Sequence, residues 1–338
     1  MNIKMAENVL FTGAGFTKDF GGFLATEMWT EIFNHPEVRK HARLRELLLN
    51  DFDYESIYYR VLKSSEYSSG EKEAIKKAVL KAYNSLDANI ANCSLGTYGP
   101  DLACISGVNK MIKCCAGGQN KIPFFFTINQ DLFVERFTSD IGKKVIYPFF
   151  KDNWILPTDR RSSFPNDITK PEWVTVPDQN EIQKKTGNPL SCRFLYYVKL
   201  HGSYGWKSSD GSDLMVIGRS KEQQIAQEPL LTAYFDFFRN VFSQGVKLLV
   251  IGYGFGDEHV NRVIAESIKD YGLEVYVLSP TDPESFITDL KKEKYTYGKV
   301  ILSGLKCYFP HELAKVFPAD QSETQAWEEI RNCYFGNN

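Results

Sequence analysis

Long apolar runs are missing from this sequence. No stretch approaches the roughly 20 consecutive apolar residues that a membrane-spanning helix needs. The start, MNIKMAENVLF, is too short before Gly13 to serve as a secretory signal. We therefore expect a soluble, cytoplasmic protein that makes no contact with a membrane.

An excess of charge of one sign is also missing. The chain carries 40 Lys and Arg residues against 42 Asp and Glu residues, which gives a formal net charge of −2. Nucleic-acid binding draws much of its affinity from positive charge placed against phosphates. We therefore expect no direct contact with nucleic acid.

Closely spaced cysteine pairs are absent too. An odd number of cysteines in a chain of this size is typical of a reducing compartment rather than of a disulfide framework. A structural zinc ribbon needs two CxxC pairs around the ion, and this chain has none, so the sequence predicts no metal site. The seven cysteines are Cys93, Cys104, Cys114, Cys115, Cys192, Cys307 and Cys333.

The sequence does contain enough apolar material for a large folded core. Of its 338 residues, 43% are hydrophobic and 14% are aromatic. Apolar runs predict strands in the segments NVLFT, IPFFFT, FLYYVKL, LLVI and LEVYVLSP, and helical spacing lies between several of them. Alternating strands and helices are typical of a parallel sheet covered on both faces. We expect an α/β fold with a three-layer, Rossmann-like parallel sheet and a helical insertion.

The pattern along the chain divides it into segments. Residues 1–35 and 119–310 are predicted to form the sheet domain, and residues 36–118 have the helical spacing of the insertion. Within the sheet domain, residues 151–191 are rich in Pro, Asp, Asn, Ser and Lys. They are predicted to be a long loop region that closes over the site or binds a partner. Residues 311–338 are a C-terminal extension.

Two glycine turns follow predicted strands. The turn Gly13-Ala14-Gly15 leaves one strand and enters a helix, where backbone amides can face a pyrophosphate. A plain tight turn explains it nearly as well, because Lys18 stands where the third glycine of GxGxxG belongs. The second turn, with Gly252, Gly254 and Gly256, repeats the pattern. Two backbone cradles would suit a dinucleotide.

Polar residues follow a second buried strand. Thr127, Asn129 and Asp131 come just after the segment FFF, where side chains point into the crevice at the carboxyl edge of a sheet. Asn and Asp are also common at strand exits and helix N-caps. By itself this segment favours a structural role, with Asp131 as a cap.

One histidine follows an apolar strand directly. His201 is one of five histidines, and Gly202 makes a turn beside it. An imidazole in that position can act as a base near neutral pH, although a satisfied structural histidine is an open alternative. Asp257, His259 and Asn261 after the second glycine turn could cap a helix or touch a ligand, and capping is the favoured interpretation for Asp257.

Together and in this order, the motifs resemble those of the SIR2 family. They are GAGFT from Gly13, TINQD from Thr127, LHGS from Leu200 and IGYGFGD from Ile251. The first three correspond to the sirtuin patterns GAGxS, TQNxD and HG, with Ile128 in place of the usual Gln. The resemblance implies a SIR2/DHS-like NAD-binding fold, with NAD⁺ as the ligand.

The chain departs from the sirtuin pattern in two places, and both departures disfavour protein deacetylation. The chain lacks the PDFR stretch after the first glycine turn and the four cysteines of the sirtuin zinc module. It is more similar to SIR2-like proteins of bacterial antiphage defence, and characterised members of that group mostly degrade NAD⁺. The resemblance therefore implies an NAD⁺ glycohydrolase, or NAD⁺ nucleosidase, that uses no metal.

The resemblance also implies roles for individual residues. His201 would accept a proton, Asn129 would orient ribose hydroxyls or the attacking water, and Asp131 would help to hold the nicotinamide end. The residues expected to contact NAD⁺ are Gly13, Ala14, Gly15, Phe16, Thr17, Thr127, Gly202, Gly252, Tyr253 and Phe255.

Other functions fit parts of the pattern. An NAD-dependent protein deacylase would use the same His201 and Asn129, and a non-catalytic NAD or nucleotide sensor needs only the fold. A dehydrogenase is disfavoured by the incomplete glycine fingerprint. An unregulated NADase would harm its cell, so we expect gating by homo-oligomerisation or by a companion defence subunit. A HerA-type ATPase, a short Argonaute or a nucleotide-processing enzyme are the family-level candidates.

Overall fold

The secondary structure comes from a computed structural model, which describes residues 4–93, 103–118, 120–138, 141–150, 174–243 and 245–336. Its strands are β1 (Lys4–Met5), β2 (Asn8–Thr12), β3 (Lys121–Ile122), β4 (Phe124–Thr127), β5 (Lys144–Ile146), β6 (Val174–Thr175), β7 (Phe194–Lys199), β8 (Gly202–Lys207), β9 (Asp213–Met215), β10 (Lys247–Ile251), β11 (Glu274–Leu278) and β12 (Leu305–Phe309).

Its helices are α1 (Gly15–Lys18), α2 (Ala25–Asn34), α3 (Pro36–Arg39), α4 (Ala42–Asn50), α5 (Tyr54–Lys63), α6 (Ser69–Asn92), α7 (Ile105–Ala116), α8 (Phe133–Phe137), α9 (Gln179–Thr186), α10 (Lys221–Gln227), α11 (Pro229–Asn240), α12 (Glu258–Tyr271), α13 (Pro283–Leu290), α14 (Gly298–Gly304), α15 (Leu313–Val316) and α16 (Gln325–Ile330). None of these helices combines the length and apolar character that crossing a bilayer requires.

A seven-stranded sheet forms the centre of the molecule, in the order β12-β11-β10-β2-β4-β7-β5. Every neighbouring pair in it is parallel. Thr12 pairs with Ile251 on one side and with Thr127 on the other, so the carboxyl ends of β2, β10 and β4 lie level. This arrangement confirms the predicted α/β fold with a parallel, Rossmann-like sheet.

The apolar strand segments bury both faces of this sheet. Along β4, side chains alternate between the faces. The ring of Phe126 lies 4.9 Å from that of Phe238 in α11, whereas the ring of Phe125 lies 6.0 Å from that of Phe16 in α1. Helices therefore cover both faces, which explains why the strand segments are continuously apolar.

Helices α2 to α6 form a layer beside the sheet. The 24-residue α6 begins with a capping box in which Ser68 and Glu71 satisfy each other's backbone amides. Helices α2, α3 and α5 pack on it. The layer covers most of the stretch predicted to be a helical insertion, and it also includes α2, which precedes residue 36.

The segment 151–191, predicted to be a long loop, contains a strand and a helix in its described part, from residue 174 onwards. Residues 151–173 lie outside the described residues. Beyond them, β6 joins β8 and β9 in a three-stranded sheet. Helix α9 follows with a capping box at Asp178 and Glu181. Helix α9 is short and buries only one side chain, Ile182, so its sequence has little apolar periodicity. The polar composition of the segment therefore suggested a loop.

The C-terminal segment is packed against the sheet. After α16 a short π-helix, Arg331–Phe335, ends the described chain. The Tyr334 hydroxyl donates a hydrogen bond of 2.8 Å to the backbone carbonyl of Val9 in β2. Tyr334 is completely buried, so the end of the described chain is part of the core.

Candidate active site

The two glycine turns pack against each other. The amide of Gly15 donates 2.9 Å to the carbonyl of Gly252, and a Cβ on Gly252 would lie 2.2 Å from the Phe16 nitrogen. Gly252 has a φ of +63°, which disfavours any other residue there. Gly13 and Gly252 are therefore explained by close turn-to-turn contact. Only Gly254 and Gly256 of the second turn face open space.

The exit of β4 is built from consecutive hydrogen bonds. The Thr127 hydroxyl accepts from the hydroxyl of Thr12 at 2.8 Å and from the amide of Asn129 at 3.0 Å. This fixes the turn that carries Asn129. The Asn129 Nδ2 is buried and has no hydrogen-bond partner among the described residues. A buried amide without a partner is costly, so this group is available to a ligand.

Asp131 joins the exit of β4 to the first glycine turn. One carboxyl oxygen accepts from the Thr17 hydroxyl at 3.0 Å, and the other accepts from the Phe133 amide at 3.0 Å. The sequence favoured Asp131 as a helix cap, but the N-cap of α8 is Leu132, and the Asp131 contact with Phe133 spans only two residues before the helix. Burial raises the pKa of Asp131, although the nearby Lys199 ammonium opposes that rise. The carboxyl group thus positions Thr17 as well as lining the site.

A buried ion pair connects this segment to the end of β7. Lys199, the last residue of β7, lies 2.7 Å from Glu135 and also donates to the backbone carbonyl of Asp131. The Tyr147 hydroxyl donates to the same Glu135 oxygen. The exits of β4 and β7 are therefore held together by charge as well as by sheet hydrogen bonds.

His201 lies between β7 and β8 and meets a second histidine. Its Nε2 is 2.8 Å from Nε2 of His259, the second residue of α12, and the ring centroids are 5.0 Å apart. Burial holds the pKa of His201 well below its usual range and lowers that of His259 to about 4. Both imidazoles are therefore neutral near pH 7, and one of the two Nε2 atoms donates while the other accepts.

Asp257 does not cap α12, contrary to the favoured interpretation. It occupies the N-cap position without a side-chain cap bond, and its carboxylate lies 2.8 Å from the Lys221 ammonium. Lys221 is also 2.9 Å from Glu55 of α5. Burial opposes ionisation of Asp257, but His201 and Lys221 hold its pKa at about 2. The Asp257 carboxylate pairs with Lys221 instead of capping α12 because Lys221 offers a full charge, whereas the helix terminus offers only amide dipoles.

The donor atoms of His201, Asp257 and His259 lie within 4.8 Å of one another, as they would around a metal ion. The surroundings do not fit a cation. The Lys221 ammonium already binds the Asp257 carboxylate, and the two imidazole nitrogens already bond each other. We therefore assign no metal to this cluster.

Gln130 and Tyr83 connect the sheet to the helical layer. The Gln130 amide nitrogen donates to the carbonyls of His201 at 3.2 Å and Val216 at 2.9 Å, and its oxygen accepts from the Tyr83 hydroxyl. Gln130 therefore fixes the backbone of His201. Sequence reasoning missed it because it occupies a variable position of the TINQD motif, and Tyr83 because it lies within a helical pattern.

These groups enclose a pocket between the carboxyl edge of the sheet and helices α2, α5 and α6. We call it the inner pocket, and its volume is about 160 Å³. The sheet side contributes Ala14, Thr17, Ile128, Asn129, Gln130, Asp131, His201, Val216, Lys221 and Asp257; the helical side contributes Phe23, Leu24, Ala25, Met28, Tyr54, Glu55, Tyr83 and Leu86.

A wider cleft lies on the other side of the Lys221 ion pairs. This outer cleft shares Glu55, Lys221 and Asp257 with the inner pocket and adds His259 to its lining. Five carboxylates line it against two cations, Arg219 and Lys221. The carboxylates are Asp53, Glu55, Glu222, Asp257 and Glu258. The outer cleft is therefore acidic.

The structure brings some of the predicted site residues together and not others. His201, Asn129, Asp131, Ala14 and Thr17 line the inner pocket. Several others are used structurally and do not line it: Gly13, Gly15, Phe16, Thr127, Gly202, Gly252, Tyr253 and Phe255.

The aromatic residues of the second turn show why. The Tyr253 ring lies 5.1 Å from that of Phe11, and its hydroxyl donates to Asn261 at 3.0 Å. The Asn261 amide in turn donates to the carbonyl of Phe255 at 2.7 Å. Asn261 thus braces the turn internally. A backbone turn motif does not reveal which side of it faces the ligand.

Lys221 and Glu55 gave no sequence signal at all. Lys221 begins α10 and Glu55 lies in the first turn of α5, in segments of ordinary charged composition. The packing of α5 and α10 beside the start of α12 brings Lys221 to both Glu55 and Asp257.

A known protein family matches much of the chain. Residues 123–298, more than half of the chain, match a family model described as SIR2-like domain. The match runs from the start of β4 to the start of α14 and so contains Asn129, Asp131, His201, Asp257 and His259. No curated protein sequence matches the chain.

Proposed function

The chain belongs to the SIR2-like family, and from that membership we propose that it is an NAD⁺ glycohydrolase, cleaving NAD⁺ to nicotinamide and ADP-ribose. The observation that carries the proposal is that His201 and the Asn129 amide, which has no partner among the described residues, line the same pocket. A base and an amide that can orient a hydroxyl or a water are what this cleavage requires.

The chemistry makes modest demands on the protein. Breaking the bond between nicotinamide and ribose passes through an oxocarbenium-like state, and the leaving group becomes neutral as it departs. No strong general acid is needed. The neutral His201 accepts a proton from water or from a ribose hydroxyl, while Asn129 orients that oxygen. Asp131 holds the wall nearest Thr17 and the first glycine turn.

The alternative as a protein deacylase uses the same two residues but requires access for an acylated lysine. The helical layer supplies about half of the inner-pocket lining, including Tyr54, Tyr83 and Leu86. Because helices occupy this side of the pocket, we propose water rather than a peptide side chain as the acceptor.

The test is release of nicotinamide and ADP-ribose from NAD⁺ by the purified chain. We expect His201→Ala and Asn129→Ala each to lower the rate roughly 10²–10⁴-fold. His311→Ala is the matched control, because His311 lies on the C-terminal segment and is partly exposed.

Two further measurements separate the alternatives. The chain would be a deacylase if it deacylates an acetyl-lysine peptide but releases no nicotinamide from NAD⁺ when the peptide is absent. Binding of NAD⁺ without release of nicotinamide, under every assembly condition, would replace it with a non-catalytic sensor.

We also propose that the activity is gated and serves antiphage defence through NAD⁺ depletion. The gate would be assembly of the chain with itself or with a companion subunit. Light scattering at rising protein concentration, run beside the nicotinamide assay, tests this. A rate per chain that is already maximal in the monomer would contradict gating by self-assembly. Unchanged NAD⁺ levels in phage-infected cells that express the chain would contradict the defence role.

A further inference from the structure

The buried contact between His201 and His259 constrains both rings. At 2.8 Å the two Nε2 atoms share one hydrogen, so one ring carries its proton on Nε2 and the other presents a lone pair there. With its Nε2 engaged, His201 has only Nδ1 left to meet a ligand in the inner pocket. Which nitrogen of a histidine is protonated is decided by the bond that the other nitrogen makes.

Only one of the two arrangements produces a base. Nδ1 of neutral His201 can accept a proton only if Nε2 carries the hydrogen and donates it to His259. His259 must then present a bare Nε2 and hold its own proton on Nδ1. In the opposite arrangement Nδ1 of His201 already carries a hydrogen and cannot act as a base.

The position of His259 favours the productive arrangement. His259 lines the outer cleft rather than the inner pocket. The carboxylates outnumber the cations in this cleft, so its electrostatic potential favours an N–H over a lone pair on the His259 nitrogen that is not bonded to His201. The charged groups acting on the two rings are Asp257, Lys221, Glu222 and Arg262.

We propose that His259 is a positioning residue, which holds His201 in the tautomer whose Nδ1 accepts a proton in the inner pocket. This inference rests on the proposed NAD⁺ hydrolysis. In the step, the O–H bond of water or of a ribose hydroxyl breaks, its electrons stay on oxygen, and the proton bonds to Nδ1. The resulting imidazolium donates from Nε2 to His259 and lies in the field of the Asp257 carboxylate. The proton returns to water when the products leave.

The test compares two replacements of His259. His259→Met keeps bulk but offers no acceptor, whereas the amide oxygen of His259→Gln can occupy the place of Nε2. We expect the Met variant to lose roughly 10²–10⁴-fold in kcat with KM little changed, as happens when a catalytic histidine takes the wrong tautomer. The Gln variant should have a kcat at least about tenfold higher than that of the Met variant. His311→Met is the control and should match the wild type.

A spectroscopic measurement reports the tautomer without any turnover. The chain has five histidines, so ¹⁵N-histidine labelling of the full chain gives a small spectrum, and His201→Ala assigns the His201 signals. The wild type should show His201 protonated on Nε2, the Met variant should lose that preference, and both should unfold at similar urea concentrations.

The outcomes for the two ideas are distinguishable. A wild type that shows the Nδ1-protonated tautomer of His201, or a Met variant with unchanged kcat, overturns the positioning role even if NAD⁺ is hydrolysed. A wild type with the expected tautomer but no nicotinamide release supports the positioning role and removes the proposed function.

Discussion

The Lys199 ammonium lies 2.7 Å from the Glu135 carboxylate in a place where neither side chain has significant contact with water: 0% of Lys199 and 6% of Glu135 is exposed. The pair joins the last residue of β7, two positions before His201, to the helix that follows Asp131. Two strand exits that carry the candidate catalytic groups are thus fixed to each other by one buried interaction.

Replacing Lys199 by Met should destabilise the protein by about 3–5 kcal/mol, because it leaves Glu135 charged and buried without its cation. The double change Lys199→Met with Glu135→Leu should recover most of that loss. Urea unfolding measures both. Lys40→Ala removes an exposed pair with Glu37 and should cost far less, because water screens exposed pairs. Equal costs at the two sites would show that the buried pair has no special role.

Gly252→Ala should be far more damaging than Gly254→Ala. A Cβ at position 252 would lie 2.2 Å from the Phe16 nitrogen, and its φ is +63°, whereas a Cβ at position 254 meets nothing within 4 Å. We expect a loss of at least about 2–3 kcal/mol for the first change, from strain and overpacking. The second should stay within about 0.5 kcal/mol. Thermal unfolding compares them, and similar melting temperatures would contradict the close contact of the two turns.

Thr17→Val should cost about 1.5–3 kcal/mol, since it removes the 3.0 Å hydrogen bond to the buried Asp131 carboxyl group. Thr17→Ser retains the hydroxyl and should restore most of the stability. Thr30→Val is the control, because the Thr30 hydroxyl donates only to the Thr26 carbonyl on an exposed helix surface. If the Val and Ser variants unfold at the same urea concentration, the Thr17–Asp131 bond contributes nothing.

The two buried histidines should make the protein sensitive to mild acid. Burial lowers the pKa of His259 to about 4, below the value of about 6.5 expected in the unfolded chain. The unfolded state therefore binds the proton first. Stability is complete above about pH 6.5 and falls as the pH drops towards 4, by up to about 3 kcal/mol for this group. Asp257, with a pKa of about 2, stays ionised throughout that window.

Urea unfolding between about pH 7 and pH 4 measures this loss. His259→Gln should flatten the dependence, because an amide does not titrate. His41→Gln is the control, since His41 is on the helical layer and away from the pocket. A variant at position 259 with the wild-type pH slope would show that another group causes the acid sensitivity.

The sequence predicted those parts of the fold and site that depend on local pattern. The strands FFFT and KLLVI and the glycine turns after β2 and β10 are continuous segments, and their apolar runs are unambiguous. Asn129, Asp131 and His201 were recognisable because each follows a buried strand within a family motif. Parallel strands then bring such exits to one edge, as the level register of Thr12, Thr127 and Ile251 confirms.

The remaining parts depend on contacts between distant segments. Lys221 of α10 pairs with Asp257 before α12 and with Glu55 of α5, and a charge in a polar segment carries no sign of such partners. Likewise, Tyr253 and Phe255 belong to a turn that the sequence identified correctly, but the rings of both residues are buried in the core. Pattern gives the path of the backbone and does not give the direction of its side chains.

The position of β2 in the sheet has a consequence for synthesis of the chain. β2 precedes both of its neighbours, β4 and β10, along the chain, and its Thr12 pairs with Thr127 and with Ile251. At about 5–20 residues per second, β10 emerges on the order of 10–50 s later. Until then the edge of β2 that pairs with β10 is open to chaperones, even after β4 has covered the other edge. The inner pocket needs residues from Ala14 to Asp257, so nascent or prematurely terminated chains have no complete pocket.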